Sequence, residues 1–303
     1  MESEDGATKP SQARAAARFK AWVAPARVRP ELWRLALGLL LVASVWMGAV
    51  AAVGIATQGA GPRVGILGYL ASFAGMILGV GLAARLLHGR SFASLFGPGG
   101  LRPRAFTAGA VVVAGIVAAT ALPAALIDAP ERRMDFGAWA IWLPLALPAL
   151  LIQVSGEELL FRGYLQQQLA ARFRGGLVWR MVPAALFGAL HWNPALGPNA
   201  WLAAAAAGVT GLVYGDVAAR AGNLSVSIGL HFANNAFALL VVAVASPLAA
   251  FSLYAAPVGS EDVAALRAAL IGNMALTAIA YGVYRAVLAR RARSLHSENA
   301  GSI

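Results

Sequence analysis

Two adjacent carboxylates, Glu157 and Glu158, stand in the stretch GEELLFR (156–162), inside a chain otherwise built for lipid. Ionisable groups at membrane depth are costly and persist chiefly where they face a cavity, a partner or a reaction. On a helix, Glu158 and Arg162 are four residues apart and share a face, so the guanidinium can neutralise that carboxylate. Glu157 projects about 100° away on a 3.6-residue turn and has no built-in counter-ion. It is the carboxylate free for general-base work. The structural alternative is one ion-pair network of both glutamates with Arg162, which leaves a surplus negative charge.

The four histidines divide into two pairs. His88 and His296 lie in basic connectors and are expected to be solvated. His191 and His231 lie in apolar helices, where an imidazole must find a partner. Phe187 precedes His191 by one turn, and Asn235 follows His231 by one turn, so each histidine has a companion on its own face. Asn234 is offset by about 100° on the same geometry. Two kinds of chemistry fit this set. Glu157 with His191 can polarise a water while His231 and Asn235 donate to the oxyanion of a tetrahedral intermediate. Alternatively, Glu157, His191 and His231 can ligate zinc. The HExxH signature of many zinc proteases is absent. Ser155 falls on a different face from Glu157, and no serine or cysteine nucleophile motif is present.

The elements that must hold these residues are membrane spans. Of 303 residues, 59% are hydrophobic and only 12% charged, against about a quarter charged in a soluble domain. Long uncharged runs alternate with short basic connectors, which predicts an all-α polytopic bundle of about eight transmembrane helices. The expected spans are Leu32–Thr57, Val64–Leu87, Ala105–Ile127, a long fourth from Ala138 towards Phe173, a short Leu177–Trp192, Ala200–Ala219, Leu224–Ala245 and Val263–Leu288. Pro144 and Pro148 are expected to kink the fourth. Its second half, with Gln166, Gln167 and Gln168, reads as an amphipathic stretch suited to an interface. Small-residue spacing such as Gly75-x-x-x-Gly79 predicts close helix contact.

Charge sets the orientation. Alternate connectors carry Arg85, Arg90, Arg102 and Arg104, then Arg172, Arg174 and Arg180, then Arg220, then Arg285, Arg290, Arg291 and Arg293. The others carry Arg63, the mixed set Asp128, Glu131, Arg132, Arg133 and Asp135, no charge over 193–199, or Glu261 and Asp262. The positive-inside rule therefore puts both termini in the cytoplasm. Residues 1–30 read as a basic cytoplasmic tail, partly disordered, resting on anionic lipid through Arg14, Arg18, Lys20, Arg27 and Arg29. Residues 31–290 form the membrane domain, its motif core about 138–245, and 291–303 form a second cytoplasmic tail. The net charge of +11 is explained by topology, not by nucleic-acid binding. Without cysteine there is no disulfide or thiolate site. Depth counting along the helices places the glutamates towards the cytoplasmic side and predicts a cavity that opens to the cytoplasm.

The order Glu157-Glu158-x-x-x-Arg162, Phe187-x-x-x-His191, His231-x-x-x-Asn235 resembles the three motifs of the CPBP family. These are intramembrane glutamic endopeptidases that include the type II CAAX prenyl endopeptidases and bacterial bacteriocin-processing or immunity relatives. The resemblance implies a multi-pass protease of a bacterial inner membrane that cleaves a peptide or protein substrate, lipid-linked ones included, near the cytoplasmic side. It implies that Glu157 activates water with help from His191, and that His231 and Asn235 form the oxyanion site. Glu158 and Arg162 would hold Glu157 in place, with no cofactor or metal. Two rival classes are a non-catalytic immunity or scaffold protein of the same fold and a proton-coupled transporter. The second expects paired halves with broken helices, and the sequence shows no such duplication.

Overall fold

The computed structural model describes residues 3–127, 129–243, 247–256 and 262–300. Asp128 and Glu261, counted above for topology, lie outside the described residues, as do the core boundary at Ala245 and the last three residues of the C-terminal tail. The side chains of Arg291, Arg293 and His296 lie outside them too.

The helices follow the hydropathy blocks closely. In chain order they are α1 (Ser3–Val23), α2 (Leu32–Ala56), α3 (Pro62–His88), the single turn α4 (Ala93–Phe96) and α5 (Pro103–Ile127). Then come α6 (Phe136–Glu158), α7 (Gln167–Arg172), α8 (Gly176–Leu190), α9 (Ala200–Ala221), α10 (Ser225–Ala236) and α11 (Val263–Ala300). Six described helical stretches are long and apolar enough to cross a membrane, and two shorter apolar ones, Gly176–Leu190 and Ser225–Val241, accompany them. The chain is a polytopic helical membrane protein, and the two short stretches occupy the places of the fifth and seventh expected spans.

Small residues set the packing, as expected where lipid supplies no hydrophobic drive between helices. A Cβ on Gly79 would lie 2.9 Å from the Val42 Cα, and one on Gly75 2.5 Å from the Ala49 Cβ, so α3 lies directly on α2. Gly109 and Gly229 allow the same approach of α5 to α10, each facing a backbone carbonyl of the other helix. Gly188 faces the Ala204 carbonyl at 2.6 Å between α8 and α9. α6 packs between α3 and α10, where a Cβ on Gly156 would lie 3.2 Å from the Phe73 carbonyl of α3.

The helix that carries the glutamates does not end at them. α6 passes without a break into a π-helical segment, Leu159–Gln166, and on into α7. Pro144 and Pro148 lie inside α6. The expected interfacial character of the second half is overturned: Gln166, Gln167 and Gln168 are all fully buried. Gln166 donates to the Gly215 carbonyl at 3.0 Å and Gln167 to the Leu95 carbonyl at 2.9 Å. Arg90 donates to Gln167, and burial draws its guanidinium down to about 10, so it stays charged at neutral pH. His88, expected in solvent, is buried as well. Its Nδ1 lies against the Arg29 carbonyl (2.8 Å) and the Gln168 amide, and its Nε2 meets the Tyr164 hydroxyl at 2.8 Å. Buried polar groups need such partners, and they found one another here.

The N-terminal segment is also not a free tail. Trp22, Val23 and Ala26 are fully buried, and Phe19 stacks on Trp179 at 4.8 Å. Gly222 ends α9 in the left-handed conformation (φ 61°) and packs beneath the Arg18 carbonyl, where no side chain fits. At the opposite end of the bundle, β1 (Glu131–Arg132), β2 (Val242–Ala243) and β3 (Tyr254–Ala255) form a small sheet in the order β1-β3-β2. The hydropathy pattern gave no sign of it.

Candidate active site

Glu158 is wholly buried, and Arg162 Nη1 lies 2.9 Å from its Oε1, the pairing expected for residues four apart. Arg162 also donates to the Gly211 carbonyl at 3.2 Å, which ties it to α9. Its guanidinium sits over the Phe187 ring, 4.8 Å from the centroid, so the motif on α6 and the one on α8 are in contact. The π-helical segment begins directly after Glu158, and a second one, Phe237–Val241, begins two residues after Asn235. Such segments occur often at functional positions.

His231 stands between the two carboxylates. Its Nδ1 is 2.9 Å from Glu158 Oε1 and its Nε2 is 3.5 Å from Glu157 Oε2. A carboxylate can only accept, so Glu158 holds a proton on Nδ1 and fixes the ring. The 3.5 Å approach to Glu157 lacks hydrogen-bond geometry, and Glu157 Oε2 has no hydrogen-bond partner among the described groups. The ring of Phe187 closes on His231 edge to face, with centroids 6.0 Å apart.

His191 caps the C-terminal end of α8 instead of lying within it. Its Nδ1 lies 2.7 Å from the Phe187 carbonyl. That oxygen accepts, so Nδ1 carries the hydrogen and Nε2 is left as a base. Phe187 packs on the imidazole at a centroid distance of 4.4 Å.

A cavity of about 360 Å³ joins these groups. Glu157, His191 and Asn235 line it together; Glu158, Arg162 and His231 do not. The structure thus separates the six motif residues into three that face the void and three behind it. His231 was expected beside Asn235 as an oxyanion donor, but it is turned to the glutamates.

A residue the motifs do not include lies beside Asn235 instead. Gln153, one turn before Glu157 on α6, lines the cavity and accepts from Asn235 Nδ2 at 3.2 Å. Asn234 Nδ2 in turn meets Asn235 Oδ1 at 3.3 Å, which fixes the orientation of that amide. The signal was present in the sequence as a polar residue four before Glu157 in an apolar helix. Nothing in the pattern marked it off from the three glutamines downstream.

The rest of the lining is apolar and graded. Met76 and Phe161, at the deep end, are 2% and 4% exposed, whereas Tyr69, Leu190 and Leu248 are 40%, 69% and 39% exposed. The exposed set lies near the start of α3, the end of α8 and the 247–251 turn. The cavity's exposed lining, whether it meets lipid or water, therefore lies towards the end of the bundle that carries the small sheet. The expected cytoplasmic opening does not match it. The reason is the buried layer of Tyr164, Gln166, Gln167, Gln168 and His88, which fills the other end. Among the described residues no group of three or more His, Cys, Asp or Glu side chains is arranged to hold a metal ion.

The comparisons bear on the segment that carries this site. Residues 138–237 match the family model described as type II CAAX prenyl endopeptidase Rce1-like, a family of proteases. That segment contains every motif residue named above. A Bacillus subtilis (strain 168) relative, the uncharacterized protein YyaK, is 32% identical over 176 residues. The match covers 55% of this chain and 57% of the relative, so the chain spans little more than half the length of the curated protein it matches. No solved structure matches it.

Proposed function

We propose that the protein is an intramembrane endopeptidase of the bacterial cytoplasmic membrane that hydrolyses a peptide bond with a glutamate-activated water. The observation that carries this reading is the division of the paired carboxylates: Glu158 is neutralised by Arg162 and accepts from His231 Nδ1, while Glu157 lines a cavity with His191 and two carboxamides. The reacting level lies about 9 Å above the start of α10, from six residues at ~1.5 Å rise, in the half of the bundle nearer the basic connectors.

In the first step Glu157 takes a proton from a water oriented by His191 Nε2. The water oxygen bonds to the scissile carbonyl carbon, and the carbonyl π electrons move to oxygen. Asn235 Nδ2 and Gln153 Nε2 donate to that oxyanion; two preorganised donors are worth most in a dry site. The tetrahedral intermediate then collapses. The C–N bond breaks, its electron pair leaves on nitrogen, and the proton held by Glu157 passes to the departing amine. The products are a carboxylic acid and an amine, with one water consumed; proton transfer between them leaves carboxylate and ammonium at neutral pH. His231, fixed by Glu158, packs against Glu157 and holds it in register. Arg162 and Phe187 carry that arrangement to α8 and α9.

The test is reconstitution with membrane peptides from cells with and without the active protein. Cleavage should vanish in Glu157→Gln while the protein remains folded. Cleavage retained by that variant would exclude glutamate catalysis.

A further inference from the structure

The cavity's mouth and the chain's charge pattern together say from which side a substrate arrives. Four of the connectors that alternate along the chain gather at the closed end of the cavity. These are the segments around Arg85 to Arg104, Arg172 to Arg180, Arg220, and the C-terminal end of α11. They hold the basic surplus, and the positive-inside rule puts that end in the cytoplasm. The cavity does not lead there. Below Glu157 the space is occupied by Arg162 and Tyr164 and then by the buried glutamine row, bonded to Gly215, Leu95 and Arg90. Phe19 and Trp22 of α1 close the same end from beneath. The exposed lining residues all sit at the opposite ends of their helices, next to connectors with little charge: Arg63 on one, none over 193–199.

We infer that the site is loaded from the non-cytoplasmic face, and that its substrates are membrane-anchored exported peptides whose scissile segment enters from the outer leaflet. This rests on the proteolytic reading for what happens at the floor of the well, but the side of entry stands on the cavity's geometry and the charge of the connectors. The chemistry of the lining fits such a segment. Tyr69, Phe73, Leu239 and Leu248 offer apolar walls to the side chains, and the Gln153 and Asn235 amides offer partners to a backbone drawn out of water.

The chain has no cysteine, so single cysteines can be introduced without background. Leu190→Cys and Leu248→Cys report on the mouth, and Arg174→Cys on the closed end. With a membrane-impermeant maleimide, the two mouth variants should label in intact cells opened only at the outer envelope. Arg174→Cys should label only in inverted vesicles. Labelling of the mouth variants solely in inverted vesicles, in neither preparation, or labelling of Arg174→Cys from outside would each overturn the inference. Carrying the same cysteines on a Glu157→Gln background separates the two readings, because labelling should be unchanged there while cleavage is lost. In the active protein, a bulky maleimide placed on Leu248→Cys from outside should lower cleavage at least tenfold, and the same reagent should leave Arg174→Cys active in intact cells.

Discussion

Gln153 and Gln168 lie on one continuous helical path fifteen residues apart, and both are buried in a protein of low polarity. Around Gln168 the polar groups bond to one another: His88 meets Tyr164, the Arg29 carbonyl and Gln168, and Arg90 donates to Gln167, although Gln168 Oε1 and Arg90 Nη1 have no partner among the described groups. Around Gln153 they open onto a void that Glu157 also lines, and Glu157 Oε2, turned towards His231, has no hydrogen bond among the described groups. Burial of polar residues in a membrane is therefore not by itself a mark of chemistry. One set joins helices, and the other is held ready for a group that is not part of the protein.

Substitutions can break this contrast or make it sharper. The largest effect should come from Glu157→Gln, a loss of about 10²–10⁴-fold in cleavage rate with thermal stability in detergent nearly unchanged. Next is Arg162→Met, which strands Glu158 as a buried unpaired charge and should cost about 3–5 kcal/mol of stability. Adding Glu158→Gln to it should restore part of the melting temperature but not activity, because His231 then loses the anion that fixes its ring.

The two glutamines give the direct comparison. Gln153→Ala should lower kcat by about 10²-fold, as for loss of one oxyanion donor, with little change in unfolding. Gln168→Ala should do the reverse, destabilising by about 1–3 kcal/mol through the partners it leaves while the folded fraction keeps its rate. Equal effects of the two on both readouts would erase the distinction. Gly229→Ala, which presses on the Phe106 carbonyl, should cost about 1–3 kcal/mol, whereas Gly115→Ala, with nothing within 4 Å, should be neutral. The smallest expected change is with a strong chelator: cleavage should persist, and its loss would return the zinc reading.

Much of the site was legible because its signals are local. The pairing of Glu158 with Arg162 and the stacking of Phe187 under His191 follow from a spacing of four on a helix. The close approach of α3 to α2 followed from Gly75 and Gly79. Where the reading failed, the missing information was always a neighbour distant in sequence. Gln166 to Gln168 looked interfacial because nothing local says that the Leu95 segment lies against them; the carbonyl of Leu95 is seventy-two residues from Gln167. His88 looked solvated because its partners, Arg29 and Tyr164, come from two other parts of the chain.

The sequence by itself determined that this is a multi-pass helical protein, where its spans fall, which end is basic, and which glutamate is tied to an arginine. Each of these depends on hydropathy over one span or on the pitch of one helix. Only the tertiary structure decided that His231 stands between both carboxylates, that Gln153 joins Asn235, and that the cavity is closed at the basic end. The reason is that lipid is as apolar as the helices it surrounds, so hydropathy does not say which faces meet; that is set by shape and by polar contacts between helices far apart along the chain.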